Sequence, residues 1–275
     1  MVKHMEIILG VTGSIAAYKA VYLARELVRQ GANVHVVMTK NATEFVTPLT
    51  FQTVTGNPVT TQMFELFSGS EIGHIALADR AHITVVAPAT ANILGKVANG
   101  LADDFLSTMV MATKVPVLFA PAMNTVMWSS PAVQHNVTKL RESGYHFMEP
   151  ESGELACGVV GQGKMAEPSH IIEKIKIVLS QKDLIGEEVL VTAGPTLEMI
   201  DPVRYVSNHS SGKMGYALAR AAIRRGAKVT LVTGPTLLDF PVGAKVIKIK
   251  SAHEMHEAVL RKSKTASVVI KAAAV

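Results

Sequence analysis

A short segment near the start of the chain has the composition of an anion-binding turn. Residues Gly10–Ile15 lie between an apolar run and a helical pattern, so their amides and the helix dipole would face a bound anion. The dinucleotide-binding fingerprint is not met, because Thr12 occupies the position of its second glycine. The same residues are also typical of a tight strand-to-helix turn that Ser14 caps, so both interpretations stay open.

Two further segments place polar side chains directly after apolar runs. In Ala87–Asn92, Thr90 could cap the following helix or contact a ligand, as could the terminal Asn92, and capping is the simpler interpretation. In Pro121–Trp128, Asn124 stands between two methionines, where its amide could bind a carboxylate or the segment could be an ordinary loop. Each segment indicates a ligand site only in combination with the others.

The only cysteine, Cys157, lies in a glycine-rich stretch over residues 151–166 that has neither helical nor strand periodicity and is predicted to be a loop. A lone cysteine is usually a small buried apolar residue, but a flexible loop suits a thiol that folds over a ligand and transfers a proton. His74 is one of ten histidines, so a structural role explains it as well as a catalytic one. No cluster of His, Cys and acidic residues has zinc-site spacing, so no metal ligand is predicted.

The second half of the chain contains a segment with a partial likeness to a phosphate-binding loop. Ser207–Gly215 precedes a helical pattern, but Ser207 replaces the first glycine of the Walker motif and Met214 replaces the hydroxyl residue after Lys213. An amide-rich anion pocket is the prediction for this segment.

The elements that must position these residues follow the alternation of an α/β fold. Short β-branched runs alternate with helix-length patterns, which predicts a parallel sheet with helices on both faces. The predicted strands are Glu6–Leu9, Val34–Met38, Ile83–Ala87, Val115–Ala120, Val189–Thr192, Lys228–Val232, Val246–Ile249 and Ser267–Ile270. The predicted helices are Ile15–Arg29, one from about Ala91, Pro131–Glu142, Ser169–Leu179, Gly212–Arg225 and Ala252–Lys262.

The polar segment Ser180–Gly186 is predicted to be a linker, because the strand–helix cycle restarts at Glu188. We therefore expect two domains, residues 1–180 and 186–275. The last predicted strand delivers its carboxyl end just before Val275, at the edge where open α/β sheets bind ligands. On this pattern the second domain is expected to be truncated.

Composition narrows the class of protein. A chain of 275 residues with 48% hydrophobic content can fill one large core or two modest ones. It has no run of eighteen apolar residues and no signal-peptide pattern, so neither a membrane span nor secretion is indicated. A single cysteine fits a reducing cytoplasm. The net charge of +5 is scattered without a basic stripe, which argues against nucleic acid and fits small anionic ligands equally well.

Taken in order, these segments resemble the bifunctional bacterial phosphopantothenoylcysteine decarboxylase/phosphopantothenate–cysteine ligase family of coenzyme A biosynthesis. The first likeness covers about residues 5–180, the second residues 186–275. The motifs are Gly10–Lys19, Gly73–Leu77, Ala87–Asn92, Ala102–Ser107, Pro121–Trp128, Ala156–Met165, Thr192–Thr196, Asp201–Gly215 and Lys271–Val275. The resemblance implies a flavodoxin-like FMN domain followed by part of a Rossmann-like ligase domain.

For the first domain, the resemblance implies FMN-dependent decarboxylation of 4'-phosphopantothenoylcysteine to 4'-phosphopantetheine, with the cofactor carrying the difficult chemistry. It makes His74 the essential histidine beside the flavin, Asn124 the ligand of the substrate carboxylate with Met127 close by, and Cys157 the acid on the lid. An ordinary thiol, with a pKa of about 8.5, can donate a proton at neutral pH. The implied flavin contacts are Gly13, Ser14, Ile15, Thr39, Thr90 and Ser107. Relatives form trimers with the flavin at subunit contacts, so a homo-oligomer built from trimers is expected.

For the second domain, the resemblance implies ligation of phosphopantothenate to cysteine with CTP and Mg²⁺ through an acyl-cytidylate. Asn208 matches the asparagine associated with that intermediate, and Lys271, Ala272 and Ala273 match the nucleotide-binding strand end. The family pattern continues past Val275 with an aspartate and a lysine-rich motif, so ligase activity is expected to be impaired.

Proteins with related folds are the alternatives. A decarboxylase of peptidyl C-terminal cysteine shares the flavin site, but Cys157 and the ligase-like segment argue against it. A flavin prenyltransferase lacks the combination of the Asn124 motif and the cysteine lid. A flavin-binding regulator would need neither His74 nor Cys157. A nicotinamide dehydrogenase is disfavoured by the missing fingerprint and by the lack of an acidic residue at the end of the second strand.

Overall fold

The computed structural model describes residues 2–63, 80–154 and 158–275. Two residues predicted to be catalytic, His74 and Cys157, lie outside the described residues. The chain divides into two compact units, Met1–Leu179 and Ser180–Val275. Across the described ranges, no helix is long and apolar enough to span a bilayer.

A parallel sheet with the strand order β3-β2-β1-β4-β5-β6 forms the centre of the first unit. Every pair of neighbouring strands in this sheet is parallel. Because β1 lies between β2 and β4, the direction of winding changes beside β1, which makes this the topological switch point of the sheet. The strands are β1 (Glu6–Val11), β2 (Asn33–Met38), β3 (Val59–Thr60), β4 (Ile83–Ala89), β5 (Val117–Pro121) and β6 (His146–Phe147).

Helices cover both faces of this sheet. Ile7 and Leu9 of β1 pack in one core with Leu23 of the first helix, whereas Ile8 packs in a second core with Leu94. Burial on both faces explains why the strands are continuous apolar runs instead of alternating ones. The described helices of this unit are α1 (Ala17–Arg29), α2 (Pro48–Thr55), α3 (Ala91–Ala98), α4 (Phe105–Ala112), α5 (Thr125–Ser129), α6 (Pro131–Glu142) and α7 (Pro168–Leu179).

The prediction of a loop over residues 151–166 is wrong. Two strands, β7 (Glu151–Glu154) and β8 (Val160–Lys164), pair there as an antiparallel ribbon. Glycine-rich sequence has low strand propensity, and the ribbon depends on tertiary contacts that local periodicity does not encode. One such contact is the hydrogen bond from the Met123 amide to the Gly163 carbonyl at 3.0 Å.

The second unit repeats the α/β pattern around a parallel sheet with the order β13-β12-β9-β14. An antiparallel ribbon of β10 and β11, which the sequence pattern did not predict, accompanies it. The predicted strands and helices of this half are confirmed to within about two residues at each end. The elements are β9 (Glu188–Ala193), β10 (Leu197–Met199), β11 (Tyr205–Ser207), α8 (Lys213–Arg224), β12 (Lys228–Thr233), β13 (Lys245–Lys248), α9 (Ala252–Ser263) and β14 (Val268–Lys271).

Tyr216 of α8 is fully buried and connects the helix to the turn after β12. Its hydroxyl accepts a hydrogen bond from Thr236 at 2.9 Å and lies 3.3 Å from the Thr233 hydroxyl, which donates to the Gly234 carbonyl. A buried hydroxyl is costly unless it is bonded, so this chain of bonds stabilises the contact between α8 and the turn.

Removal of the Tyr216 hydroxyl should therefore destabilise the second unit. We expect Tyr216→Phe to lower the free energy of unfolding by about 1–2 kcal/mol, because the partly buried Thr236 hydroxyl loses its acceptor. The matched control is Tyr205→Phe, since Tyr205 is 55% exposed on β11, and a change within about 0.5 kcal/mol is expected there. Urea denaturation compares the two variants. Equal midpoints for both would contradict the assignment of this hydrogen-bond chain.

Candidate functional site

Four strands of the first unit bring the turns that carry predicted site residues to one edge of the sheet. Because β1, β2, β4 and β5 run parallel, their carboxyl ends meet at the same edge. Gly13 follows β1, Thr39 follows β2, Thr90 follows β4 and Asn124 lies three residues beyond β5. Segments that are far apart in the sequence are thereby brought together at one place.

Thr12 links two of these turns across the switch point. Its side chain is buried; the hydroxyl donates to the Pro88 carbonyl at 2.7 Å and accepts from the Thr90 amide at 3.1 Å. The sequence pattern distinguished Thr12 only as the residue that breaks the dinucleotide fingerprint. Its role as a connection between β1 and β4 was missed, because nothing in the sequence pairs residue 12 with residues 88 and 90.

A cavity of about 460 Å³, here called the Thr39 cavity, opens between these turns. Three of the predicted flavin contacts line it, Gly13, Thr39 and Thr90, together with Met127. Gly13 is needed for close approach, since a Cβ atom at this residue would lie 2.5 Å from the Cβ atom of Asn41. The volume falls within the range of about 300–1,000 Å³ that is typical of small-molecule sites.

A second cavity of about 540 Å³, the Asn124 cavity, adjoins the first, because the consecutive residues Gly13 and Ser14 line one and the other. Two predicted flavin contacts, Ser14 and Ile15, and the predicted substrate ligand Asn124 line it. Ser14 does not act as the N-cap of α1: the hydroxyl accepts from the Ala16 amide at 3.3 Å, and Ala16 is the N-cap residue.

The side-chain amide of Asn124 is oriented by the helix that follows it. As the N-cap of α5, Asn124 uses its amide oxygen to accept a hydrogen bond from the Val126 amide at 2.8 Å. The NH₂ group is then the donating end of the side chain. The adjoining Met123 amide donates to the Gly163 carbonyl of β8, so the ribbon also holds the backbone beside Asn124.

Lys19 is a further residue of the Asn124 cavity that the sequence pattern did not distinguish individually. Its side chain is only 9% exposed, and its ammonium group donates to the Met165 carbonyl at 3.2 Å and to Glu167 at 2.6 Å. The hydrogen bond from Lys19 lowers the pKa of the Glu167 carboxyl below its usual value. A lysine within the apolar pattern of α1 was the available signal for a buried, paired cation.

Ser107 is the predicted flavin contact that lines neither cavity. It is fully buried in the first turn of α4, where it and Asp104 form reciprocal capping bonds. Asp104, which was not predicted as a site residue, lines the Thr39 cavity. The spacing of Asp104 and Ser107 was a signal for the start of this helix, which the sequence pattern also missed.

The second unit brings its predicted ligase residues to the carboxyl edge of its own sheet. Lys271 ends β14, and the amides of Ala272 and Ala273 donate to the Thr192 hydroxyl at 3.2 and 3.3 Å. Thr192 lies near the end of β9, so its hydroxyl holds the predicted nucleotide-binding turn in place. Asn208 lies exposed between β11 and α8.

The donor groups of the Thr39 cavity are suitable for a flavin mononucleotide. The hydroxyl groups of Thr39 and Thr90 can form hydrogen bonds with the polar groups of FMN. Met127 and Ile93 can make apolar contacts with its ring system. Ala91, at the N-terminus of α3, also lines the cavity, and a helix N-terminus favours an anionic group.

A doubly wound parallel sheet with adjoining cavities at its carboxyl edge defines the first unit as a flavodoxin-like α/β fold. Residues 1–180 match the Flavoprotein family model, and residues 184–275 match the DNA/pantothenate metabolism flavoprotein C-terminal domain. The chain belongs to the family of the coenzyme A biosynthesis bifunctional protein CoaBC. It is 49% identical to the CoaBC protein of Bacillus subtilis (strain 168) over 279 residues, which cover 100% of this chain and 69% of that protein.

Other relatives agree with this family. The CoaBC protein of Escherichia coli (strain K12) is 45% identical over 271 residues, covering 98% of this chain and 67% of that protein. A cysteine-to-serine mutant of a PPC decarboxylase, complexed with pantothenoylaminoethenethiol, is 33% identical with a TM-score of 0.57, covering 64% of this chain and 98% of that one. The FMN-binding protein AtHal3 is 33% identical with a TM-score of 0.56, over 64% of this chain and 96% of that one.

The contact between β8 and the start of α5 can be tested with two paired glycines. A Cβ atom at Gly161 would lie 2.6 Å from the Thr125 hydroxyl, whereas one at its register partner Gly153 would meet only Lys164 at 3.6 Å. We expect Gly161→Ala to destabilise the first unit by about 1–3 kcal/mol through overpacking, and Gly153→Ala to change its stability by less than about 0.5 kcal/mol.

Urea denaturation measures both effects. Addition of Thr125→Ala to the Gly161→Ala variant should recover part of the loss, because the two residues are in contact. A Gly153→Ala variant as unstable as Gly161→Ala would contradict the close approach.

Proposed function

We propose that the first unit, with FMN bound, decarboxylates 4'-phosphopantothenoylcysteine to 4'-phosphopantetheine, with the substrate in the Asn124 cavity and the flavin in the Thr39 cavity. The observation that carries this proposal is the Asn124 amide. Asn124 lines a cavity that adjoins one lined by Gly13, Thr39 and Thr90, and because its oxygen caps α5, its NH₂ group is the donating end of the side chain toward a substrate carboxylate. The 33% identity to a PPC decarboxylase structure supports the same reaction here.

In this reaction the cysteine carboxylate of the substrate leaves as CO₂ and a proton takes its place, without net oxidation. FMN supplies the reversible removal of a hydride from the carbon that bears the thiol. The sulfur of the oxidised substrate accepts the electron pair that CO₂ leaves behind. Asn124 donates hydrogen bonds to the carboxylate and so fixes the orientation of the bond that breaks.

The remaining roles follow the family pattern. By that pattern His74 is the essential histidine of the flavin site, and Cys157 gives a proton as the substrate carbon regains its hydride. Met127, which the resemblance assigns to the substrate, lines the Thr39 cavity and is therefore proposed to act where the flavin and the substrate meet. Gly13, Thr39 and Thr90 are the proposed flavin contacts within the Thr39 cavity, and Ser14 and Ile15, which line the Asn124 cavity, are proposed to contact the flavin where the two cavities adjoin. Ser107 acts on the flavin site through its capping bonds to Asp104, which is the member of that pair lining the cavity.

For the second unit we propose participation in CTP-dependent ligation of phosphopantothenate to cysteine, with Mg²⁺. Asn208 is assigned to the site of the acyl-cytidylate intermediate. The nucleotide is contacted by Lys271, Ala272 and Ala273. The match of residues 184–275 to the family's C-terminal domain supports this role. The Thr192 hydroxyl, which accepts two amides from the Ala272–Ala273 turn, supports a nucleotide contact at that turn, because it fixes the local backbone.

We also propose that the chain works in the cytoplasm as a homo-oligomer built from trimers. Large apolar side chains are exposed near the two cavities: Val126 is 77% exposed, Leu101 56% and Ile15 56%. Apolar side chains that cluster at the surface are typical of a protein–protein contact, and a contact there would exclude water from the flavin.

The decisive test is anaerobic. The purified protein is expected to show the visible spectrum of a flavin and to release CO₂ from 4'-phosphopantothenoylcysteine. Cys157→Ser should release CO₂ but accumulate an oxidised, enethiol-like product, because the substrate carbon is not protonated. Asn124→Asp should lower the rate of CO₂ release by about 100-fold or more, since an aspartate keeps the helix cap but places a negative charge where the donor was.

Gln52→Glu, on the exposed surface of α2 and lining neither cavity, controls for the change of charge and should retain activity. A yellow protein that acts on a peptide ending in cysteine and not on 4'-phosphopantothenoylcysteine would indicate a peptide decarboxylase. A yellow protein inert toward both would indicate a regulator. A colourless protein that takes up no FMN would contradict the flavin site.

A further inference from the structure

Lys96 links two carboxylates at the wall of the Thr39 cavity. Its ammonium group lies 2.6 Å from Asp103 Oδ1 and 2.7 Å from Asp104 Oδ2, and its side chain is 17% exposed. Lys96 and Asp104 line the cavity, whereas Asp103 does not line it and is 65% exposed. The cluster therefore presents one carboxylate and one cation to whatever binds in the cavity.

Asp104 is held in this place by its second oxygen. Asp104 Oδ1 accepts from the Ser107 amide at 2.8 Å and from the Ser107 hydroxyl at 3.0 Å, which caps α4. Burial raises the pKa of Asp104, but the hydrogen bonds from Lys96 and Ser107 outweigh that effect and leave the pKa below its usual value. At neutral pH the cavity wall thus carries a fixed negative charge next to the Lys96 ammonium.

A fixed carboxylate conflicts with the rest of the cavity. Ala91 and Asn92 at the N-terminus of α3 line it too, and the positive end of a helix dipole favours an anion. Lys40 lines the cavity as well, but its side chain is exposed. An anion in a cavity of this size stays within a Debye length, about 8–10 Å, of the Asp104 carboxylate, so the repulsion is not screened away.

We propose that Lys96 is a specificity-determining residue of the Thr39 cavity: by neutralising Asp104 it allows the phosphate of FMN to bind and so selects FMN over riboflavin, which lacks the phosphate. This inference rests on the proposed flavin site. Lys96 acts through Asp104, so its effect depends on whether a carboxylate is present at residue 104. The effect of Lys96 acts on the phosphate of the ligand and leaves the contacts of the flavin ring unchanged.

The test compares FMN and riboflavin affinities of the flavin-free full chain by fluorescence quenching. Lys96→Met, which keeps the length of the side chain, should weaken FMN binding by about 10-fold and riboflavin binding by less than about twofold. The reason is that the Asp104 carboxylate, no longer neutralised by a cation, repels the phosphate of FMN, and riboflavin has no phosphate. Asp104→Asn keeps a good helix cap and should strengthen FMN binding or leave it unchanged. The double variant Lys96→Met/Asp104→Asn should bind FMN within about threefold of wild type, because the carboxylate that Lys96 neutralises is no longer present.

Asp103→Asn is the matched control, because Asp103 pairs with the same ammonium group outside the cavity, and it should change FMN affinity by less than about twofold. If Lys96→Met lost the same factor of affinity for FMN as for riboflavin, the lysine would have only a structural role. That result would overturn the inference and leave the proposed function intact. A double variant as weak as Lys96→Met would also overturn it. If the wild-type protein bound neither FMN nor riboflavin, the proposed flavin site itself would be contradicted.

Discussion

Thr12 holds the carboxyl ends of β1 and β4 together at the switch point of the first sheet, through its bonds to Pro88 and Thr90. The parallel pairing of β1 with β2 on one side and β4 on the other then places the turns after all three strands at one edge. The Thr39 cavity opens between those turns, and the Asn124 cavity is lined by the segments after β1 and β5 and by the ribbon of β7 and β8. The contacts proposed for the flavin at Gly13, Thr39 and Thr90 are therefore consequences of one sheet register and one buried hydroxyl.

The proposed substrate site depends on a second constraint, which lies outside the sheet. The cap of α5 orients the Asn124 amide, and β8 holds the preceding residue through the bond between Met123 and Gly163. Lys19 fixes the segment after β8 through the Met165 carbonyl and Glu167. The Asn124 side chain is thus positioned by elements from three separate parts of the chain, which restricts its motion more than a free loop would.

The sequence predicted the parallel α/β architecture well, because strands buried on both faces are continuous apolar runs and amphipathic helices have their own period. It also predicted Asn124, Gly13, Thr39 and Thr90 as site residues through a family resemblance, and the structure brings them to one edge. The ribbon of β7 and β8, the bonds of Thr12 and the pairing of Lys96 with Asp104 were not predictable, because each joins residues whose partners only the fold determines. Ser107 shows the converse: the resemblance indicated a flavin contact where the side chain is occupied in a helix cap.

The most direct test of this account is a crystal structure of the protein with FMN bound. The account predicts a flavin in the Thr39 cavity, in contact with Gly13, Thr39 and Thr90, with the Asn124 amide directed toward the ring system from the adjoining cavity. A flavin bound elsewhere in the first unit, or one separated from Asn124 by the β8 strand, would contradict it.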